Sequence, residues 1–523
     1  MRDEKIEKLL SYAGNEHRYQ FFVLGIFLFL WMNCNFMAVV LPYLEREPLI
    51  TYADKNNITY INETLTYEIC DEYKYKIIER FGYSWVSEFG IECNKFMVGL
   101  IGVFTFIGNT LGSVAFSIVT KYFKHKTILI SSSFGFSIAI FVCTLVYSLD
   151  KIYIIFTALC FVGLFGNLLC YSSLVVAEEI VSSKKRSIFS SVINTGYGLC
   201  GIMYSFIFMY VQNWRYDFYI LIGLSLLLGV IIWIFVYESP RIYIDNKDVD
   251  NLLYILKGIA SFNGKKEEFN EIRNSNDFKK LVTEIMEYNS NEVIEMGDIN
   301  NNGQNEDNNT ALIYKEKENK NEEKITVFSS LKYPSLRYKF LILCIIWFGT
   351  RSTSNSISLS CKSFPGNYYF NIIILFAFEC VAYNTSAILI NIKSLGRKGT
   401  LWILYSIIAI IFILLSFVQF SVVFELILDF LARFCAAAIE LVYWTYTLEV
   451  YPTPVRSLNF GINVTFGNFG SILSPLIYEY LPIWLFLLVF AFLSVFHSIL
   501  IIYLPETVGK PMVETIDELV NKK

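Results

Sequence analysis

The sequence predicts an all-α membrane protein with twelve transmembrane helices arranged as two six-helix bundles. Three observations lead to this fold class: twelve apolar runs of membrane-spanning length, a long polar stretch between the sixth and seventh, and charged landmarks that recur in both halves. Of the 523 residues, 54% are hydrophobic and only 17% are charged, whereas a soluble domain carries ~25% charged residues. The net charge of −4 gives no basis for nucleic-acid binding.

Each apolar run is long enough for a helix that crosses a bilayer, which needs ~20 mostly apolar residues. In the first half the runs are 20–41, 96–119, 127–149, 152–177, 187–211 and 218–237. In the second half they are 340–361, 367–392, 399–421, 422–448, 457–478 and 483–503. We number these runs as spans 1 to 12.

The distribution of Lys and Arg in the short loops indicates the orientation. With a cytoplasmic N-terminus, the inner short loops hold ten of these residues and the outer short loops hold three, which places both termini inside. The expected organisation is a cytoplasmic N-terminus (1–19), an N-terminal bundle (20–241) with an extracellular loop (43–95), a cytoplasmic linker that is partly helical and partly disordered (242–338), a C-terminal bundle (339–505) and a cytoplasmic tail (506–523). We expect a multi-pass protein of the plasma membrane or an endomembrane.

The predicted extracellular loop contains two sequons, at Asn57 and Asn62, and two cysteines, Cys70 and Cys93. The topology favours glycosylation of both asparagines, although sequons also arise by chance in an Asn-rich chain. A disulfide between Cys70 and Cys93 is the corresponding expectation for the cysteines. The eleven cysteines show no CxxC or Cys/His spacing, so we expect neither a metal site nor a cofactor.

Charged landmarks repeat between the two halves with an offset of about 270 residues, as expected of a duplicated six-span unit. Glu179 and Arg186 follow span 4 as Glu449 and Arg456 follow span 10. Glu238 and Arg241 close span 6 as Glu506 closes span 12, and the basic turn after span 2 corresponds to one at Arg397. This is the layout of a two-bundle transporter. We expect these eight residues to form the cytoplasmic gate.

The sequence also resembles the major facilitator superfamily, and within it the organic cation, anion and carnitine transporters. The similar segments follow one another in the family's order: 84–93, 214–215, 238–241, 256–263, 347–348, 366–371, 449–456, 470–475 and 504–518. Some family features are missing. The acid and the turn glycine of the family's loop between spans 2 and 3 are absent, Lys393 replaces the equivalent acid before Gly396, and Leu159 stands where the family has an arginine.

Charged residues at the centres of spans 7, 8 and 10 are the main candidates for substrate contact, because a charge in a helix centre costs ~2.5–3.5 kcal/mol unless it faces a cavity or a partner. They are Arg351, Glu379, Arg433 and Glu440. Glu425, Asp429, Arg433 and Glu440 fall on one face of span 10. A structural ion pair remains the alternative for Arg351 and Glu379, and a solvated outer vestibule for Glu425 and Asp429.

Three uncharged residues complete the candidate substrate site. Trp347 belongs to a family motif in span 7, and Asn35 interrupts an apolar run in span 1, where it either joins a helix contact or reaches the substrate. Asn468 occupies the position where the family's cation carriers usually have Asp and its anion or carnitine carriers Arg. The four charged candidates and Asn468 sum to zero charge, which favours a zwitterion.

The sequence therefore predicts a secondary transporter that moves a small organic ion or zwitterion by alternating access. No GxxxxGK[ST] loop is present, and no nucleophile–base constellation indicates an enzyme. The alternative is a transporter-like subunit or sensor of a membrane complex that no longer transports, which the altered loop after span 2 and the neutral Asn468 would fit.

Overall fold

The structure is a computed structural model, and it describes residues 2–14, 17–53, 59–64, 69–70, 75–79, 82, 84–120, 122–211, 213–287, 329–360, 367–390, 392, 394–418 and 420–508. Twelve long helices within these residues correspond to the twelve predicted spans. Span 1 is Arg18–Cys34 and Phe36–Leu44, interrupted at Asn35. Spans 2 to 6 are Lys95–Val119, His125–Thr144, Ile152–Glu179, Ser183–Tyr210 and Trp214–Phe235. Spans 7 to 12 are Pro334–Ser360, Tyr368–Leu389, Gly396–Phe417, Val422–Val450, Thr453–Tyr480 and Ile483–Ile502.

Ten of the described helices are apolar enough to cross a membrane by length and composition alone. Spans 7 and 10 have the necessary length, with 27 and 29 residues, but their charged and polar side chains lower their hydropathy. These two helices are therefore the ones that most need a polar interior to face. Span 7 also begins at Pro334, inside the stretch that the sequence assigned to the linker.

The helices pack as two bundles of six that touch along two seams. Span 4 packs on spans 2 and 3 and span 5 on span 1 in the N-terminal bundle, while span 11 packs on span 7 and span 12 on span 9 in the C-terminal bundle. Spans 5 and 8 form one seam and spans 2 and 11 the other. Glycines permit equivalent close approaches in the two bundles: a Cβ on Gly196 would lie 2.8 Å from the Leu28 carbonyl oxygen, and one on Gly470 2.1 Å from that of Phe348.

The loop between spans 1 and 2 contains a small antiparallel sheet that hydropathy did not predict. Its strands are β1 (Leu49–Ala53), β2 (Thr59–Thr64) and β3 (Tyr75–Glu79), with β1 in the centre. A short helix, Trp85–Phe89, follows. Cys70 and Cys93 form a disulfide that ties this region to the start of span 2. Asn62 lies in β2, whereas Asn57 lies outside the described residues.

Short helices precede span 1 and lie between spans 6 and 7. They are Arg2–Ala13, Pro240–Asp245, Val249–Phe262, Lys266–Asn274, Asn276–Glu287 and Ser329–Lys332. The side chain of Asn263 donates to the carbonyl oxygens of Ala13 and Gly14, at 2.9 and 3.0 Å, and accepts from the backbone N–H of Tyr19 at 2.8 Å. The N-terminal helix is thereby joined to the first part of the linker. Residues 288–328, which hold most of the segment expected to be disordered, lie outside the described residues.

Candidate functional site

Arg433 and Glu379 form an enclosed ion pair between spans 10 and 8. The Nε and Nη2 atoms of Arg433 donate to one carboxylate oxygen of Glu379 at 3.2 and 2.6 Å, and Tyr383 donates to the other at 2.8 Å. The Nη1 atom of Arg433 donates to the carbonyl and hydroxyl oxygens of Ser354 in span 7. Both charged side chains are 1% exposed. Three helices therefore meet around one satisfied pair of charges.

Arg351 and Glu440 form a second pair, between spans 7 and 10, that is more open. Their closest oxygen and nitrogen atoms are 2.6 Å apart, and the side chains are 24% and 13% exposed. Ser354 donates weakly to Glu440 at 3.4 Å, and the Nε of Arg351 has no hydrogen-bond partner among the described residues. The side chains of this pair are partly accessible, although the Nε atom of Arg351 is itself buried, whereas the Arg433–Glu379 pair is enclosed.

Aromatic rings surround the open pair. The guanidinium of Arg351 lies 5.9 Å from the ring centre of Trp347 and 5.8 Å from that of Trp444. Trp347 is buried and donates through Nε1 to the hydroxyl of Thr447 at 3.0 Å. Trp444 also lies 6.2 Å from Tyr171 of span 4, across the interface between the bundles. The Arg351–Glu440 pair thus has walls from both halves of the molecule.

Asn468 belongs to a neutral polar cluster that links the bundles. Its side-chain amide donates to the hydroxyl of Ser113 in span 2 at 2.9 Å. Ser113 also contacts the Tyr171 hydroxyl at 3.3 Å and accepts from the Asn167 amide at 3.3 Å. Because this cluster contains no charge, it supplies hydrogen-bonding capacity without an electrostatic preference.

Asn35 lies at the interruption of span 1, between its inner and outer helices. Its side-chain amide donates to the Trp31 carbonyl oxygen at 3.0 Å and approaches the sulfur of Cys170 in span 4 at 3.5 Å. Part of its hydrogen-bonding capacity is therefore used in a helix–helix contact, the first of the two roles that the sequence left open. The side chain is half-buried.

The outer ends of the two bundles touch. Tyr368 at the start of span 8 donates its hydroxyl to the carbonyl oxygen of Pro42 in span 1, and the guanidinium of Arg46 lies 4.4 Å from the centre of the Tyr368 ring. Pro475 of span 11 packs against Gly102 of span 2, where a Cβ would lie 2.6 Å from the proline ring. These contacts join the two bundles near the ends of spans 1 and 11 and the beginnings of spans 2 and 8.

The candidate gate residues of the C-terminal bundle pair within their own bundle. Arg397 forms an ion pair of 2.6 Å with Glu449, and the Nε of Arg456 donates to the Tyr451 carbonyl oxygen at 3.2 Å. Glu506 accepts from the backbone N–H groups of Arg397 and Lys398 at 3.1 and 3.0 Å. It therefore caps the first turn of span 9, where the helix dipole favours a negative charge.

The N-terminal bundle repeats this capping arrangement. Glu238 accepts from the backbone N–H of Lys126 at 2.9 Å, in the first turn of span 3. Glu179 accepts a hydrogen bond from the Ser239 hydroxyl, and the Ser239 hydroxyl accepts from the backbone N–H of Arg241. Arg186 donates to the Glu178 carbonyl oxygen at 3.1 Å and lies 4.0 Å from Glu7 of the N-terminal helix.

The pKa values of the two capping glutamates are shifted in opposite directions. Burial raises the pKa of Glu238, and its two backbone hydrogen bonds offset this only in part. Burial also acts to raise the pKa of Glu506, but four backbone N–H donors outweigh it and hold this pKa below its ordinary value. The two bundles therefore share the position of the capping glutamate, but the pKa of that glutamate is raised in the N-terminal bundle and lowered in the C-terminal bundle.

Several residues of the site were not singled out from the sequence. Trp444 lies one turn beyond Glu440 on the same face of span 10, so helical spacing could have identified it. Ser113, Tyr171 and Tyr383 carried no comparable signal, because hydroxyl groups are frequent in these spans and their partners come from other helices. No group of three or more His, Cys, Asp or Glu side chains in the described part of the chain is placed to hold a metal ion.

Comparison with known protein families identifies the family of this chain. The model of the Major Facilitator Superfamily matches residues 22–475. The chain belongs to this superfamily. The transporter layout predicted from the repeated landmarks is thereby confirmed.

Relatives within the superfamily include organic-ion carriers, which confirms the narrower resemblance. The organic cation/carnitine transporter 2 of Rattus norvegicus is 26% identical over 67% of this chain and 57% of its own length. The solute carrier family 22 member 21 of Mus musculus is 24% identical over 80% and 67%. Member 6 of Oryctolagus cuniculus is 26% identical over 62% and 52%. The chain thus spans between about half and two thirds of the length of these relatives.

Solved structures of the superfamily share the fold at low sequence identity. A partially occluded inward-open conformation of the xylose transporter XylE from E. coli has a TM-score of 0.62 and 11% identity, covering 94% of this chain and all of the other. An inward-open conformation of the same transporter has a TM-score of 0.60 and 14% identity. These matches support the twelve-helix, two-bundle fold.

Proposed function

We propose that the protein is a secondary transporter that moves a small organic zwitterion across the plasma membrane or an endomembrane by alternating access. The observation that carries the proposal is the contrast between the two central ion pairs. Arg433 and Glu379 are enclosed and satisfied, whereas the side chains of Arg351 and Glu440 are 24% and 13% exposed. The open pair offers both charges that a zwitterion needs.

The substrate's carboxylate would bind Arg351, and its ammonium would bind Glu440. Guanidinium groups suit carboxylates because their planar N–H donors match the two oxygens. A cationic group would also gain from the faces of Trp444 and Trp347. Because Arg351 and Glu440 cancel and Asn468 adds no charge, a simple cation or anion would leave one of the two charges uncompensated at low dielectric.

Asn468, Asn35 and Trp347 would shape the site around this pair. Asn468 would supply a neutral hydrogen-bonding group through its contact with Ser113, and Asn35 would contribute from span 1. Arg433 and Glu379 would position span 10 rather than contact the solute. In this assignment the seven candidate residues divide into an exchangeable pair, a structural pair and three neutral contacts.

Alternating access would follow from rocking of the two bundles about the seams formed by spans 5 and 8 and by spans 2 and 11. The outer contacts of Tyr368 and Arg46 would open when the site faces outward. On the cytoplasmic side, Glu179, Arg186, Glu238, Arg241, Arg397, Glu449, Arg456 and Glu506 would then exchange their partners. Charge-assisted hydrogen bonds are strong enough to favour either the inward-facing or the outward-facing state.

The test is uptake of radiolabelled amino-acid-like and carnitine-like zwitterions into vesicles that contain the purified full-length protein, with a monovalent cation and a monovalent anion of similar size as comparisons. Saturable uptake of a zwitterion, competed weakly by the two ions, is the expected result. Thermal-shift measurements with the same panel report binding independently. Absence of both binding and uptake, together with co-purification at fixed stoichiometry with a membrane complex, would favour the transport-inactive subunit.

A further inference from the structure

Two thiols touch at the interruption of span 1. The sulfur atoms of Cys34 and Cys170 lie 2.8 Å apart, and the two residues are 8% and 5% exposed. Cys34 is the last residue of the inner helix of span 1, and Cys170 lies within span 4. Neither belongs to the substrate site, the gate or the extracellular disulfide described above.

Contacts between spans 1 and 4 on either side of the thiols fix the position of Cys34 relative to Cys170. One turn toward the cytoplasm, Trp31 donates through Nε1 to the hydroxyl of Ser173 at 3.0 Å. On the other side, Gly166 packs against span 1, where a Cβ would lie 3.0 Å from the Cys34 carbonyl oxygen. The absence of a side chain at Gly166 lets the two backbones approach, so the sulfurs meet through helix packing rather than through a flexible loop.

A polar group adjoins the thiol pair. The side-chain amide of Asn35 points an N–H toward both sulfurs, at 3.7 Å from Cys34 and 3.5 Å from Cys170. Asn35 is half-buried, so part of this residue beside the two buried cysteines is accessible. Oxidation of a cysteine proceeds through its thiolate form.

We propose that Cys34 and Cys170 are an oxidisable dithiol that forms an intramembrane disulfide. The sulfurs would need to approach by less than about 1 Å, since an S–S bond is ~2.05 Å long. A metal bridge would require the opposite movement, because two thiolate ligands at ~2.3 Å in the tetrahedral geometry of zinc lie ~3.8 Å apart. The geometry therefore favours a disulfide over a thiophilic metal site.

A hydroperoxide supplies the oxidising equivalents. One thiol, as thiolate, attacks the peroxide O–O bond to give a sulfenic acid, and the peroxide is reduced to water or an alcohol. The second thiol then displaces hydroxide from the sulfenic sulfur to form the S–S bond, and the released proton and hydroxide leave as water. The overall step removes two electrons and two protons from the pair. The product would fasten span 1 to span 4 beside Asn35, where the inner and outer helices of span 1 join.

The experiment uses full-length wild-type protein in membranes exposed to hydrogen peroxide. Remaining thiols are alkylated under denaturing conditions, and cross-linked peptides are measured by mass spectrometry before and after a thiol reductant. The expected result is a Cys34–Cys170 peptide at least ten times more abundant than any other newly formed cysteine pair, and its loss on reduction. The Cys70–Cys93 peptide serves as the internal reference, because this disulfide is present both before and after peroxide treatment.

Three outcomes would overturn the proposal. In the first, both thiols remain fully alkylated. In the second, each is oxidised to a sulfinic acid without a cross-link. In the third, Cys34 pairs instead with Cys200, a buried free cysteine in span 5. Cys170→Ala should abolish the cross-link, whereas Cys143→Ala, which removes another buried thiol in span 3, should leave it unchanged. Because the decisive measurement is made on the wild-type protein, it does not depend on the folding of a variant or on the identity of the transported solute.

Discussion

The guanidinium of Arg433 lies 2.6 Å from the carboxylate of Glu379, and each of these side chains is 1% exposed. Arg351 and Glu440 are also 2.6 Å apart, but their side chains are 24% and 13% exposed. Equal distances thus accompany very different environments. Burial, rather than separation, distinguishes the pair that we assign to structure from the pair that we assign to substrate.

Replacing Arg433 by Met should destabilise the protein strongly. The substitution leaves Glu379 buried without its main partner, and breaking a buried pair in this way costs ~3–5 kcal/mol. We expect a lower midpoint of thermal unfolding and a smaller monodisperse fraction in detergent. The double variant Glu379→Met/Arg433→Met should recover part of the loss because no unpaired charge remains. A single variant as stable as the wild type would contradict the structural role.

The two capping glutamates should respond differently to pH. The pKa of Glu506 is lowered in the folded protein, so its stabilising contribution is present at neutral pH and is lost as the pH falls through that lowered value. The pKa of Glu238 is raised, so its contribution has the opposite sign and is lost as the pH rises through its raised value. Glu506→Gln should therefore lower the unfolding midpoint more than Glu238→Gln at pH 7, and the difference should shrink on acidification. Equal effects at every pH would refute this assignment.

Much of the helical fold follows from hydropathy alone. The predicted runs 20–41 and 483–503 correspond to helices at 18–44 and 483–502, because about 20 apolar residues have no other stable arrangement in a bilayer. The sheet of β1, β2 and β3 could not be predicted in this way. Its strands have only five or six residues. The pairing of β1 with β3 also joins residues as far apart in sequence as Leu49 and Glu79.

The sequence identified the charged residues of the candidate site but not which of them pair with each other. Spacing placed Arg433 and Glu440 on one face of span 10. It did not reveal that Arg433 takes Glu379 and leaves Glu440 to Arg351, because that choice depends on how spans 7, 8 and 10 pack. The hydrogen bond from Asn468 to Ser113 and the contact of Cys34 with Cys170 likewise depend on helix packing.

The predicted topology can be tested at the two loops. A protease site inserted at residue 310 should resist external protease in intact cells and be cleaved after permeabilisation. Asn57→Gln and Asn62→Gln should each remove one glycan, seen as a step in mobility that glycosidase treatment abolishes. Cleavage at residue 310 without permeabilisation would exclude a cytoplasmic linker.

Neutralising Glu449 should shift the protein toward the inward-open state. Glu449→Gln weakens the 2.6 Å pair with Arg397 at the C-terminal end of span 10, and we propose that Glu449 also helps to close the inner gate. Modification of a single cysteine introduced near Asn468 by an impermeant thiol reagent from the cytoplasmic side should become faster. Glu425→Gln, at the opposite end of span 10, is the matched control. An unchanged rate in Glu449→Gln would remove this residue from the gate.

The most direct test of the central claim is binding of a zwitterion to purified Arg351→Ala, measured together with its thermal unfolding. Because Glu440 is partly exposed, loss of Arg351 should cost less stability than loss of Arg433, and the variant should remain folded. We predict at least a tenfold loss of affinity, which corresponds to about 1.4 kcal/mol, with Glu425→Gln binding as the wild type does. A well-folded Arg351→Ala protein with unaltered binding and transport would contradict the assignment of Arg351 and Glu440 as the substrate site.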